Sequence, residues 1–239
     1  MSSPKNAIEL PAVKVGLENE GLPVNMQSIL LDVLDTVLTK MPIWYKIGGP
    51  EAKYDAFFAL KNGAKGLIAA MVESPYAYKK FIEAVNFVEA VEGKKSGELL
   101  RGVNLESKTA VGNIEKIVTA MESSPPDLVV IGRGDLAKSM GKTVDAKEVM
   151  ESAFRIAEAI KKRFPSTTVA LGGGITPNFP EGPWNALSTR FFLLPKEKEA
   201  VIEAIKTEIF ITEQIASVAD GNLKKILEKR IAELNSRLI

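Results

Sequence analysis

Short apolar runs alternate with longer amphipathic segments along this chain. The short runs are Val13–Leu17, Trp44–Ile47, Gly66–Val72, Leu99–Leu105, Leu128–Ile131, Thr168–Leu171 and Arg190–Leu194. Several are apolar almost throughout, the pattern of parallel strands buried on both faces. The segments between them carry apolar residues at helical spacing, in Thr109–Met121 and Ala146–Arg163 above all. Pro50–Leu60 opens on Pro and Glu, both favourable in a first helical turn. Pro75–Val88 follows Ser74, a candidate N-cap. Strand–helix repetition of this kind predicts right-handed βαβ units and a parallel sheet.

Seven strands are legible. An eighth either lies in the first twelve residues or is missing. The expected fold is therefore α/β: a (β/α)8 TIM barrel with an incomplete or modified first strand, with a doubly wound open sheet as the alternative. No linker divides the chain, so residues 1–239 are expected to form one domain, with the barrel over about 10–195 and a helical tail over 196–239. Lys94–Gly97 and Thr176–Pro183 read as loops, the second crowded with turn formers. In the tail, Ala200–Ala216 and Leu223–Leu238 have apolar stripes separated by Asp220-Gly221. This pair is either a cover for the barrel or an oligomer arm.

Composition narrows the chemistry. Of 239 residues, 31 are Lys or Arg and 30 are Asp or Glu, a formal net charge of +1. That balance argues against nucleic-acid and membrane-surface binding, which call for a basic excess. The chain has no Cys and no His. A thiolate nucleophile, a Ser-His-Asp triad, a His-ligated zinc and a His general base are thus all excluded. Acid–base work falls to Asp, Glu, Lys, Arg, Tyr or water. With no apolar run of about 20 residues and no signal-like N-terminus, a soluble cytoplasmic protein is expected.

Ligands of parallel α/β folds bind at the C-terminal ends of the strands. The polar residues where the apolar runs stop are Glu18 and Glu20, Lys46, Glu73, Asn104 and Glu106, Arg133 and Asp135, and the Gly172–Gly174 run. Glu is poor in both strands and turns, so its recurrence there points to a site. Glu106 and Asp135 follow consecutive strands, which in a barrel lie about 5 Å apart. Two carboxylates without nitrogen or sulfur ligands suit a hard cation, Mg²⁺ or Mn²⁺. The structural alternative is that Glu106 caps the next helix and Asp135 is its own N-cap. Lys46 and Arg133 are cations at the same rim. They hold a carboxylate substrate and steady an oxyanion, or pair with Glu73 or Glu106, and the two roles are compatible. Gly173, within its glycine run, allows close approach of a ligand or phosphate, or simply makes a tight turn. Trp44, Tyr45, Phe57 and Phe58 read as core.

Four pieces in order resemble one family. They are Lys46-Ile47-Gly48-Gly49-Pro50-Glu51-Ala52, Met71-Val72-Glu73-Ser74-Pro75, Asn104-Leu105-Glu106-Ser107, and Ile131-Gly132-Arg133-Gly134-Asp135-Leu136-Ala137-Lys138-Ser139-Met140-Gly141. Together they resemble the HpcH/HpaI aldolase and citrate lyase family, over about Val13 to Leu194. The resemblance implies a phosphoenolpyruvate/pyruvate-type TIM barrel with a divalent metal on Glu106 and Asp135. It places Lys46 where the family carries an enolate-steadying Arg. Lys keeps the charge but not the bidentate fork. The family's aldolase branch has an acid–base His near Leu17–Gly21, where Glu20 is the nearest substitute. Glu73 matches a Glu of the citrate lyase branch. C-terminal helices that close an oligomer are also implied.

The resulting expectation is a Mg²⁺- or Mn²⁺-dependent carbon–carbon lyase acting on a 2-oxo acid or acyl-CoA substrate. Its metal would sit on Glu106 and Asp135. Lys46, Gly134, Asp135 and Gly173 would bind substrate, and Lys46, Glu73, Arg133 and Glu20 would act in catalysis. The alternatives are a non-catalytic, regulatory ligand-binding barrel and a phosphate-binding barrel enzyme.

Overall fold

The computed structural model describes residues 8–16 and 41–239. Eight strands close into a barrel: β1 (Ala12–Gly16), β2 (Ile43–Ile47), β3 (Gly66–Ala69), β4 (Leu100–Leu105), β5 (Leu128–Gly132), β6 (Thr168–Gly172), β7 (Ala186–Ser188) and β8 (Phe192–Leu194). From β1 to β7 each strand pairs in parallel with the next. The barrel closes differently. β8 runs antiparallel to both β7 and β1, so the last two strands form a hairpin rather than a βα repeat. The eighth strand of the barrel is β7, whose Ala186-Leu187-Ser188 sets only two apolar residues between Asn185 and Thr189. The departure from the regular barrel lies in this closing hairpin.

Helices cover the barrel between β2 and β6. Lys53–Lys61 follows β2, and Pro75–Val91 follows β3. Ser74 caps the latter as expected, its hydroxyl accepting from the Ala77 N–H at 3.1 Å. The segment after β4 is two helices, Lys108–Gly112 and Ile114–Met121, broken at Asn113. Two helices follow β5, Arg133–Met140 and Lys147–Arg163. The first starts on the residue after the strand, a helix that the apolar pattern does not reveal. Thr176–Pro183 is a loop, packed down where Trp184 meets Phe154 edge-on at 5.0 Å.

The barrel interior is a small core of its own. Trp44 fills it among Ala12, Ile68, Leu128, Val130, Ala170, Ala186 and Leu193. Bulk at one position calls for its absence beside it. A Cβ on Gly66 would stand 2.6 Å from the Trp44 ring, and one on Gly102 would stand 3.2 Å from it. Tyr45 points the other way, into the core under the helices, where Phe57 and Phe58 are partly buried. All four aromatics are therefore packing residues.

The tail forms helices Lys198–Val218 and Gly221–Ser236. They pack on each other, and the first of them packs on β8. Glu208, 1% exposed, holds them to the closing hairpin: its Oε1 accepts from the Phe191 N–H at 2.8 Å and from the Thr189 hydroxyl. The pair therefore covers its own barrel. Among the described residues no helix is long and apolar enough to cross a membrane.

Candidate functional site

At the C-terminal ends of the strands lies a cavity of about 400 Å³. Glu106 and Asp135 both line it, and neither serves as a helix cap. The residue that caps the helix after β4 is Ser107, whose Oγ accepts from the Ala110 N–H at 3.1 Å. The N-cap of the helix after β5 is Gly132, and Asp135 sits inside the first turn. The capping alternative is thereby removed for both carboxylates.

Glu106 is 3% exposed, and a buried carboxylate needs donors. Oε1 accepts from the Met71 N–H at 3.2 Å, and Oε2 from the Asn104 amide at 2.8 Å. The Lys46 ammonium is 3.8 Å from Oε1, at ion-pair range. Met71 reaches this bond from a positive φ of 54°, where a side chain is strained. Gly132 makes room opposite: a Cβ there would stand 2.5 Å from Glu106 Oε2. Asp135 is half exposed and pairs with Lys138 at 3.0 Å.

Asn104 is 4% exposed, and its Oδ1 has no hydrogen-bond partner. The bond of its amide nitrogen to Glu106 fixes which way the side chain faces, because the reverse orientation would set oxygen against carboxylate. The cavity wall thus carries two carboxylates and an orphaned amide oxygen. That is an all-oxygen donor set, which fits a hard divalent cation.

Arg133 departs from expectation. It is 1% exposed and turned behind the wall, bonding Gly172 O from Nε at 3.2 Å and Gly173 O from Nη2 at 2.6 Å. Asp145 stands 3.4 Å from Nη1. Burial lowers its pKa, with Asp145 opposing. Its Nε and Nη2 are directed at the backbone of the glycine loop and its Nη1 at the Asp145 side chain, so it orders the loop rather than meeting a ligand, and it pairs with neither Glu73 nor Glu106. The loop needs this support. Gly173 has φ +85°, and a Cβ on it would stand 2.5 Å from Gly134 N. Two backbones therefore meet here, where Gly134 and Gly173 both line the cavity.

Glu73 is also displaced from the expected place. It is not among the cavity-lining residues, and its carbonyl accepts from Asn113 at 2.9 Å. Strand β3 ends at Ala69, so Glu73 belongs to the approach to the next helix. Glu20 lies outside the described residues.

Other cations line the cavity unannounced by the strand-end pattern. Lys14 sits inside β1, 8% exposed, and donates to Ser188 Oγ at 2.9 Å. A charge at the centre of an otherwise apolar run, Ala12-Val13-Lys14-Val15, was its signal. Arg190 comes from the closing hairpin, and Arg230 and Arg237 come from the tail.

The sequence model of the HpcH/HpaI aldolase/citrate lyase family matches residues 49–165, which include Glu73, Glu106, Arg133 and Asp135. No curated protein sequence matches the chain. Similar solved structures include a citrate lyase from Burkholderia xenovorans, at 10% identity over 86% of this chain and 73% of that one, TM-score 0.59. RipC from Yersinia pestis is similar at 12% identity over 84% and 78%, TM-score 0.50. Malate synthase of Haloferax volcanii, in a pyruvate/acetyl-CoA ternary complex, is similar at 13% identity over 95% and 68%, TM-score 0.52. At these identities the structural likeness speaks for the barrel alone.

Proposed function

We propose, from the match of residues 49–165 to the HpcH/HpaI aldolase/citrate lyase family model, that the chain is an enzyme of this family, a Mg²⁺- or Mn²⁺-dependent carbon–carbon lyase acting on a 2-oxo acid or hydroxyacyl substrate. The observation that carries this reading is that Glu106 and Asp135 line one cavity while neither caps a helix. In it these two residues hold the cation, with Asn104 Oδ1 beside them. When bound, the cation supplies Lewis-acid stabilisation of the negative oxygen that carbon–carbon cleavage creates.

The chain's own residues do the rest. Lys46 directs a positive charge at the same oxygens from the end of β2. The Gly134 N–H, in the first helical turn after β5, adds a dipole of favourable sign. The Gly173 backbone closes the wall, and Arg133 positions it from behind. Arg133 is thus a positioning residue in this reading. Glu73, outside the wall, has no role in it, and Glu20 is left as the carboxylate that carries the proton. Assembly into a homo-oligomer is part of the proposal, through the outer face of the tail, where Phe210, Val218 and Ile226 are exposed. Sedimentation of the purified protein tests that part.

The activity is tested by retro-aldol assay with Mg²⁺ or Mn²⁺ against 4-hydroxy-2-oxo acids and malyl- or citramalyl-CoA. We expect turnover that falls at least about 100-fold in Glu106→Ala and Asp135→Ala. Rates across that panel no better than those of the two variants would sink the lyase reading. Glu20→Gln separates proton transfer from binding: kcat should fall while metal affinity stays.

A further inference from the structure

The wall of the cavity carries five cations, Lys14, Lys46, Arg190, Arg230 and Arg237, against two carboxylates, Glu106 and Asp135. Two of the five come from the last helix and its C-cap, Arg230 and Arg237, outside the strand ends altogether. We propose that Arg230 and Arg237 form a clamp for a second anionic group, a carboxylate or a phosphate, at the end of the substrate remote from Glu106 and Asp135. The inference rests on the proposed function for where the reacting end of the substrate sits.

Both guanidiniums are largely covered, with side chains 18% and 15% exposed, yet they share one carboxylate. Glu233 is 2.9 Å from Arg230 and also pairs with Arg237. The buried Glu208 carboxylate stands 3.9 Å from Arg230 as a second, looser ion pair, and among the described residues Arg237 pairs with Glu233 alone. Arg230 keeps one unused donor: its Nε is buried without a hydrogen-bond partner. A planar guanidinium at a cavity wall with an N–H to spare matches carboxylate and phosphate geometry. Helix stapling alone does not explain the placement. Pairs spaced three or four residues apart add only about 0.3–0.5 kcal/mol each and do so equally well on an outward face.

The tail is also held in register with the mouth. Glu208 binds Thr189 and Phe191 of the closing hairpin, the same turn that supplies Arg190. The arginines are therefore fixed relative to the strand ends. A substrate reaching from Glu106 to the last helix would be gripped at both ends, and its length would be read.

The test uses calorimetry on the full chain, with and without Mg²⁺, and two pairs of probes. The carboxylate arm compares 2-oxopentanedioate with 2-oxopentanoate, which differ only in the distal group. The phosphate arm compares coenzyme A with dephospho-coenzyme A. We expect wild type to prefer the more anionic member of one pair by at least about tenfold. Arg230→Gln and Arg237→Gln should each lose that preference while the affinity for the less anionic member stays. Arg237→Gln guards against loss of fold, since its side chain pairs with Glu233 at the end of the helix and not with the hairpin clamp. No preference in wild type in either arm, or a preference that both variants retain, overturns the clamp. Oxo-acid binding that is indifferent to Mg²⁺ overturns the metal reading instead, and the ratio within each pair still decides the clamp. Absence of binding by all four probes overturns both.

Discussion

The amide nitrogen of Asn104 donates to Oε2 of Glu106 at 2.8 Å, and the two side chains face the same cavity from the end of β4. The bond gives one residue two effects: it orients a buried carboxylate and leaves the amide's own oxygen free to accept. Asn104→Leu keeps the volume and removes both. Loss of a residue that orients a metal ligand costs about 10–100-fold in metal affinity. We expect Mg²⁺ affinity, measured by calorimetry, to fall within that range. An unchanged affinity would mean that Asn104 serves packing only.

Arg133 separates a positioning role from a binding one. In Arg133→Met the Gly172 and Gly173 carbonyls lose their donor, and Asp145 loses its partner. Charge-assisted bonds of this kind contribute about 1.5–3 kcal/mol each, offset by the cost of burying the guanidinium. A net loss of about 3 kcal/mol is expected, which lowers Tm by roughly 6–12 °C in a chain of this size. A residue that met only the substrate would leave Tm of the ligand-free protein in place, so thermal unfolding distinguishes the two.

Trp44 and Gly66 should behave as one unit. Adding a methyl at Gly66 brings a Cβ to 2.6 Å from two atoms of the Trp44 ring, and neither the strand nor the ring has space to yield. Gly66→Ala is expected to cost about 1–3 kcal/mol or more by overpacking. Trp44→Leu costs about 3 kcal/mol by leaving a void. In the double variant the new methyl enters the void. Urea unfolding should show the pair less destabilised than the two losses added, by about 1–3 kcal/mol. Additive losses would place the strain elsewhere.

The parts of this protein that were legible in its sequence are those in which a local pattern carries the information. Seven strands lie within apolar runs that stand out from their surroundings, and Glu106 and Asp135 stand out because carboxylates are costly where such runs end. β7 was illegible because Ala186-Leu187-Ser188 sets only two apolar residues between Asn185 and Thr189, whereas the equally short β8 lies in the apolar run Phe191–Leu194. With β7 hidden, the antiparallel closure was hidden too. Arg133 misled for a different reason. Its position at a strand end is the same as that of a ligand-binding cation, and only the tertiary placement of the Gly172 and Gly173 carbonyls turns it inward. Arg230 and Arg237 were invisible in principle. Beside Glu233 they read as ordinary solvent-facing pairs, and only packing on the preceding helix, which Glu208 ties to the closing hairpin, brings them to the cavity.

Tyr78 makes the fold sensitive to alkaline pH. It is 1% exposed, and its hydroxyl donates to the carbonyl of Ser124 across the helices that cover β3 and β4. Burial pushes its pKa well above the ordinary value near 10; Arg101 opposes the shift and Asp127 adds to it. Between that ordinary value and the higher folded one, the unfolded chain releases the phenol proton and the folded chain keeps it. The unfolded state then binds fewer protons, so stability falls as pH rises. The contribution of the neutral phenol is complete below about pH 10 and declines above it by up to roughly 1.4 kcal/mol per pH unit. Tyr78→Phe removes the group that titrates. At pH 7 the variant should be less stable by about 1 kcal/mol, the net worth of the lost hydrogen bond. At pH 11 the gap should close or reverse, because only wild type loses stability through this residue. Urea unfolding of both proteins at pH 7, 10 and 11 checks the sign. A gap that is constant across that range would show that Tyr78 ionises with equal ease in the folded and unfolded chains.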